Sequence, residues 1–236
     1  MSKTIVITGA STGIGRAILQ QLDTQFPSST IYSINRKAIL IENYVLKGLV
    51  VFEEVDLSVR SEVEKICGIF RGKTIDILVN NAGTMPFKRF GEVTVDEYDY
   101  VMNVNLRAPF LVSQAIIPSM SRGGRIINVS SIAGGPWIDP DSTIMPYSIS
   151  KAGLIMLTKQ LAKAFPRLRV NSISPGLVGG TSIVGGEATP QALIDTVPTK
   201  REATTREVAM LVGYLCSDDA DYITGQNIII DGGKTL

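Results

Sequence analysis

The chain contains no histidine. An enzyme built from it that moves protons near neutral pH must therefore do so without the usual donor. Cysteine is nearly absent too: Cys67 and Cys216 stand far apart in sequence, which excludes a disulfide framework and a metal cluster and points to a reducing cytosol. Neither sign of charge dominates, since 23 Lys and Arg balance 22 Asp and Glu to a formal +1. That balance gives no global pull towards nucleic acid or anionic lipid, and no basic stripe or aromatic platform is visible. No apolar run approaches the roughly 20 residues of a membrane span. The opening "MSKTIVITGAS" enters a strand pattern at once without a secretory leader, so a cytoplasmic protein without membrane association is expected.

What is present is an alternating α/β pattern. Of 236 residues, 44% are hydrophobic and 19% charged, an ordinary globular balance that argues against disorder. Seven β-rich runs recur: "TIVIT", "TIYSI", "LVVFEEV", "IDILV", "RIINV", "RVNSI" and "NIIID". Stretches with helical spacing lie between them, at Gly13 to Gln25, Asp96 to Met120 and Pro146 to Phe165. Apolar strands alternating with helices predict one doubly wound Rossmann-type domain over residues 1–236, a seven-stranded parallel sheet flanked by helices. No linker interrupts it. The Gly-rich stretch Gly176 to Gly186 reads as a mobile loop. In such a fold, ligands bind beyond the C-terminal strand ends, where strand order reverses.

The first strand is followed by "TGASTGIG", Thr8 to Gly15. Gly9 permits a tight exit from the strand, Gly13 lets backbone approach a ligand, and Gly15 lets the next helix sit close to the sheet. With Ser11, Thr12 and Ile14 between them, they place free N–H groups and the positive end of a helix where a pyrophosphate would bind. The bland alternative is a flexible turn. At the tip of the second strand, where a carboxylate would favour NAD, stand Asn35, Arg36 and Lys37. A guanidinium forks onto phosphate, so NADP(H) is preferred and NAD(H) remains possible. The alternative is two solvated charges at a helix start. Further along, "YSISK" sets Tyr147 and Lys151 one helical turn apart. A tyrosine with an ordinary pKa of about 10 is a poor base, and a fixed ammonium nearby is expected to lower it.

These stretches, with "NNAG" (Asn80 to Gly83), "VNL" (Val104 to Leu106), "VSSIAG" (Val129 to Gly134), "YSISKAG", "ISPGLV" and "ITGQNIIIDGG", follow one another in a characteristic order. The chain resembles the short-chain dehydrogenase/reductase family, in its compact single-domain branch, over essentially its whole length. The resemblance implies hydride transfer between NADP(H) and a small carbonyl or alcohol substrate, with Tyr147 as acid and base and Lys151 also gripping the nicotinamide ribose. It picks Ser131 over Ser130 to hydrogen-bond the substrate oxygen, and Asn105 over Asn103 to hold a helix kink and a proton-relaying water. It assigns Asp56, followed by Leu57, to the adenine amino group, Asn80, Ala82 and Gly83 to the adenosine ribose, and the backbone of Val178 to the carboxamide. A homo-oligomer, tetramer or dimer, is also implied. Two features depart from the family pattern. The segment between Ser131 and Tyr147 is long and carries Trp137, which either closes over a substrate ring or pins the loop. Gly180 stands where a threonine is common, with Thr181 one place later. An NAD-linked alcohol dehydrogenase and a non-catalytic dinucleotide-sensing protein are the rival readings.

Overall fold

The computed structural model describes residues 2–36, 46–138, 143–181 and 189–236. Seven strands form one sheet in the order β3-β2-β1-β4-β5-β6-β7, and every pair is parallel. They are β1 (Thr4–Thr8), β2 (Thr30–Asn35), β3 (Leu49–Glu54), β4 (Ile75–Asn80), β5 (Met120–Val129), β6 (Arg169–Pro175) and β7 (Asn227–Ile230). Helices α1 (Gly13–Gln25), α2 (Arg60–Ile69), α3 (Val95–Met102), α4 (Ala108–Ile116), α5 (Met145–Ala164), the single turn α6 (Gln191–Ile194) and α7 (Thr205–Leu215) complete the chain. The chain winds outward from β1 to β3, then returns to the other side of β1 as β4. The order thus reverses between β1 and β4, which fixes where a crevice opens.

The strands read as continuous apolar runs because both sheet faces are covered. In β1, Ile5 and Ile7 face one layer and Val6 the other, the period of two of an extended chain. The first layer is closed by Ile18, Leu19 and Leu22 of α1 and Val208, Val212 and Leu215 of α7. The second is closed by Val63 and Ile66 of α2, Val112 and Ile116 of α4, and Leu161 of α5. Each such aliphatic side chain contributes roughly 1.5–3 kcal/mol when fully buried.

The helix expected over Asp96 to Met120 is four pieces. α3 opens on a capping box between Thr94 and Glu97 and ends at Met102. Residues Asn103–Arg107 then widen into a π turn, where the Ala108 N–H reaches back to the Asn103 carbonyl. Pro109, at the start of α4, has no N–H to offer the Asn105 carbonyl, so the regular ladder cannot run through this point. A 3-10 turn carrying Pro118 ends the helical stretch, and Met120 begins β5 instead.

A polar ladder crosses this apolar sheet. Asn80 Nδ2 donates to Asn128 Oδ1 at 2.8 Å and to Ser113 Oγ at 3.3 Å, and Asn128 Nδ2 donates to Thr158 Oγ1 at 2.8 Å. All four residues are buried, so the ladder ties β4 to β5 and β5 to α5 where water cannot compete.

Candidate active site

The first turn is shaped by contacts distant in sequence. Thr8 Oγ1 accepts hydrogen bonds from the Asn81 and Ala82 N–H groups at 3.0 and 3.1 Å. Asn81 Nδ2 donates to the carbonyls of Thr8 and Gly9 at 3.1 and 2.9 Å. Gly9 has φ +70°, and a Cβ there would lie 2.7 Å from Ala82 Cα. A Cβ on Gly15 would fall 2.0 Å from the Gly9 carbonyl oxygen, so α1 starts in direct contact with the turn. Gly13 is required by its φ of +52° rather than by crowding, since its nearest neighbour, Thr181, would be 3.6 Å away. The first turn of α1 carries no acidic residue and its N-cap, Thr12, makes no side-chain capping bond. Gly9, Ser11, Thr12, Gly13, Ile14 and Gly15 all line one long cleft of about 1620 Å³. That exceeds the roughly 300–1,000 Å³ of an ordinary small-molecule site and leaves room for a dinucleotide beside a second ligand.

At the tip of β2, Asn35 is buried, donates through Nδ2 to Ser33 Oγ at 2.7 Å, and leaves its Oδ1 without a partner at the cleft wall. Arg36 is exposed and donates to the Tyr100 hydroxyl at 3.0 Å. Lys37, the second cation of the expected phosphate fork, lies outside the described residues. Asp56 lines the cleft opposite. Burial works against its ionisation, but hydrogen bonds from the Ser58 hydroxyl and N–H, with the nearby Arg36 charge, hold it below the usual aspartate value. Leu57 is buried beside it.

The chemical groups gather at the ends of β5 and the start of α5. Ser131 follows β5; its Oγ accepts the Ala133 N–H at 3.2 Å and shares a hydrogen bond with the Tyr147 side chain. Tyr147 lies in the first turn of α5, and Lys151 one turn later on the same face. Lys151 Nζ donates to the Val129 carbonyl at 2.8 Å and stands 5.6 Å from the Tyr147 ring centroid. Both are buried, 6% and 3% exposed. Asn105, in the π turn, is fully buried: its Oδ1 accepts the Thr84 N–H at 2.9 Å, and its Nδ2 donates to the Thr84 carbonyl at 2.9 Å and to Ser150 Oγ at 3.1 Å. Ser150 Oγ in turn donates to the Tyr147 carbonyl at 2.6 Å. Gly83 sits between the two: a Cβ on it would lie 3.5 Å from both Asn105 Oδ1 and Lys151 Nζ.

The protonation states differ from the sequence expectation. Burial pushes the Tyr147 phenol above its ordinary value, with the Ser131 hydrogen bond working against that push. Burial pushes Lys151 down to about 8. The lysine does not make the phenol more acidic in this state, because desolvation disfavours both charges and Nζ is directed at a carbonyl. In the free chain the phenol holds its proton firmly.

Of the residues picked from sequence, Ser131, Tyr147, Lys151, Ala82, Gly83, Asp56, Leu57, Asn35, Arg36 and Val178 line the cleft with the first turn. Asn105 lies beneath its floor. Asn80 does not reach it: it is consumed in the buried ladder, and Asn81 occupies the wall instead. Ser130 directs its hydroxyl into the Lys151 carbonyl at 2.9 Å. Thr181 reaches the cleft despite its displaced position, because Gly180 turns the backbone at φ +70° and Thr181 Oγ1 folds back to the Val178 carbonyl at 3.2 Å. Part of the Gly176 to Gly186 loop, Ser182 onward, lies outside the described residues. Trp137 lines the cleft and packs with Met85 against the cluster containing Tyr147. Sequence reasoning missed Thr8, Asn81 and Ser150, whose partners lie 73, 72 and 45 positions away.

A family model described as enoyl-(acyl carrier protein) reductase matches residues 9–235. The chain is 34% identical over 245 residues to a 3-oxoacyl-[acyl-carrier-protein] reductase FabG of Thermotoga maritima, covering 99% of this chain and 98% of that one. Among solved structures, it is similar to an angucycline C-6 ketoreductase, LanV, with bound NADP, at 29% identity and a TM-score of 0.84 over 100% of this chain and 98% of the other. It is similar also to a 4-hydroxyisoleucine dehydrogenase complexed with NADH, at 30% identity and a TM-score of 0.86 over 99% and 98%.

Proposed function

The chain belongs to the short-chain dehydrogenase/reductase family, and on that premise we propose that it is an NADP(H)-dependent oxidoreductase that reduces the carbonyl of a small molecule or oxidises the matching alcohol. The observation that carries this reading is the gathering of Ser131, hydrogen-bonded to the buried Tyr147, and the buried Lys151 at one end of the cleft whose other end is the glycine turn. Residues and cofactor fit. The turn from Gly9 to Gly15 presents backbone N–H groups and an acid-free helix start to a pyrophosphate. Asn35 offers an unpartnered amide oxygen at the ribose end. Arg36 would take the 2′-phosphate, Asp56 the adenine, Ala82 and Gly83 the adenosine ribose, and Val178 the carboxamide. When bound, the nicotinamide supplies or accepts the hydride.

The chain's own residues do the rest. The Ser131 hydroxyl hydrogen-bonds the substrate oxygen and fixes it within reach of Tyr147. Tyr147 gives that oxygen its proton in reduction and takes one in oxidation. Lys151 would grip the nicotinamide ribose when the cofactor is bound. Asn105, through the Thr84 backbone and Ser150, holds the π turn under Lys151 and completes the route for proton resupply. The test is a panel of carbonyls with NADPH consumption as readout. Tyr147→Phe is expected to remove nearly all turnover while NADPH still binds; a variant retaining half the activity sinks the assignment.

A second reading, an NAD-linked dehydrogenase, is favoured by the Asp56 carboxylate beside Arg36 and by the Asn35 acceptor, which suits a ribose hydroxyl. Initial rates with NADPH and NADH decide between them. Assembly into a cytoplasmic homotetramer belongs to the same proposal. It is supported by exposed apolar side chains on α4 and α5, Phe110, Ile149 and Met156, and is checked by light scattering.

A further inference from the structure

Beyond Tyr147 the cleft is walled by apolar side chains, among them Met85, Phe87, Trp137 and Leu193, and by one cation, Lys234. Among the described residues, only three other charged side chains line the cleft: Arg36 and Asp56 at the far end, and Lys151 beneath Tyr147. Lys234 lies in the C-terminal segment but is rigidly presented. Asp231 accepts hydrogen bonds from the Gly233 and Thr235 N–H groups at 2.9 and 2.8 Å. Gly232 and Gly233 have φ +66° and +88°, and a Cβ on Gly232 would fall 2.4 Å from Thr199 Oγ1. The turn is therefore both left-handed and pressed against its neighbours, which sets where Lys234 emerges.

The ammonium so placed lies 5.7 Å from the Trp137 ring centroid and donates to Thr196 Oγ1 at 2.6 Å. An ammonium has three N–H donors, and Thr196 takes one. None of the ion pairs among the described residues involves Lys234. Trp137 itself is tied to the active-site turn, since its N–H donates to the Ile132 carbonyl at 3.2 Å, one residue after Ser131. A ring face and a half-buried cation thus converge beside the reacting end of the cleft, with no carboxylate among the described lining residues there to neutralise it.

We propose that this end is a carboxylate subsite: the carbonyl compound has an apolar or aromatic body that lies on Trp137 and an acid group that binds Lys234. The inference rests on the oxidoreductase reading of the cleft and narrows its substrate class.

The test exploits Trp137 as the only tryptophan of the chain. Its fluorescence is titrated, with NADP+ present, with 3-acetylbenzoate, 4-acetylbenzoate and 3-benzoylpropanoate, each beside its methyl ester. In parallel, kcat and KM for the same six compounds are measured with NADPH. At least one acid is expected to bind about tenfold more tightly than its ester, the yield of one charge-assisted hydrogen bond at a partly exposed site. The preference should appear in KM rather than kcat. Lys234→Met should bring the acid-to-ester ratio to near one, Lys234→Glu should invert it, and Lys234→Arg should keep it. Equal binding of every acid and its ester, no quenching by any acid up to millimolar concentration, or a ratio unchanged in Lys234→Met overturns the subsite. Preferential binding of the acids without reduction of any of the six carbonyls leaves the subsite standing and removes the reductase reading. Should Lys234→Met fail to fold, the Arg and Glu variants and loss of the preference in high salt carry the same decision.

Discussion

Lys151 is held where a lysine is costly. Its folded pKa of about 8 lies below the unfolded value of 10.5, so between those limits the unfolded chain binds the proton and the folded chain does not. Stability from this group therefore rises with pH across that window, and the full penalty, about 3 kcal/mol, acts below pH 8. Lys151→Met removes the charge and forfeits the bond to Val129, worth about 1 kcal/mol. The variant is expected to melt several degrees higher than the parent at pH 7, to lose that advantage as pH climbs past 8 towards 10.5, and to be inactive. Differential scanning fluorimetry across pH reads this directly; a lower melting temperature at pH 7 would contradict it. Arg36 is the other residue with a separable effect. Arg36→Ala should weaken NADPH binding roughly 10- to 100-fold while changing NADH little, as expected for loss of a charge-assisted contact to the 2′-phosphate. Equal losses for both cofactors in isothermal titration would point to the NAD reading.

At the scale of elements, the site depends on how α5 meets the turn after β5. Gly134 in that turn touches α5 so closely that a Cβ would stand 2.5 Å from the Lys151 carbonyl carbon and 2.6 Å from the Ala152 nitrogen. Both are backbone atoms, so nothing can swing aside. Gly134→Ala should displace Ser131 from Tyr147, lowering kcat at least tenfold, with a few degrees lost in thermal melting. An enzyme with unchanged kcat would show that the turn is not what positions the serine. Elements were legible in the sequence to the degree that their burial was uniform. The strands were plain because both faces are apolar, and α1 runs from Gly13 to Gln25 as its spacing predicts. The stretch from Asp96 to Met120 reads as one helix in the sequence because its apolar period continues through Asn103–Arg107, while Pro109 breaks the hydrogen-bond ladder. Asn80 and Asn81 are indistinguishable in the sequence for a related reason. In "NNAG" two adjacent asparagines differ only in which face of a strand end they leave, and only the fold shows that Asn128 and Ser113 claim the first.

Across the whole molecule, the absence of histidine becomes a measurable property. The kcat profile for reduction should show no limb near pH 6.5 and should fall near pH 8, where Lys151 loses its proton while burial keeps the Tyr147 phenol protonated above its ordinary value. A clear limb near 6.5 with a substrate that does not titrate there would require a titrating group other than Tyr147 and Lys151. The order of motifs along the chain was enough to read the strand count and the general position of the cleft. The anchoring of the C-terminal turn and the place of Lys234 were not legible, because they depend on left-handed glycines packed against Val197, Pro198 and Thr199, residues with no sequence signature of their own. The staple between Thr8, Gly9 and Asn81 has a further consequence. The eight residues from Thr8 to Gly15 look self-contained, yet their shape is imposed by groups 72 to 74 positions downstream. A chain still emerging from the ribosome cannot form its nucleotide-holding loop until β4 has been synthesised and has inserted beside β1. Ligand capture is thereby postponed until the middle of the sheet is complete.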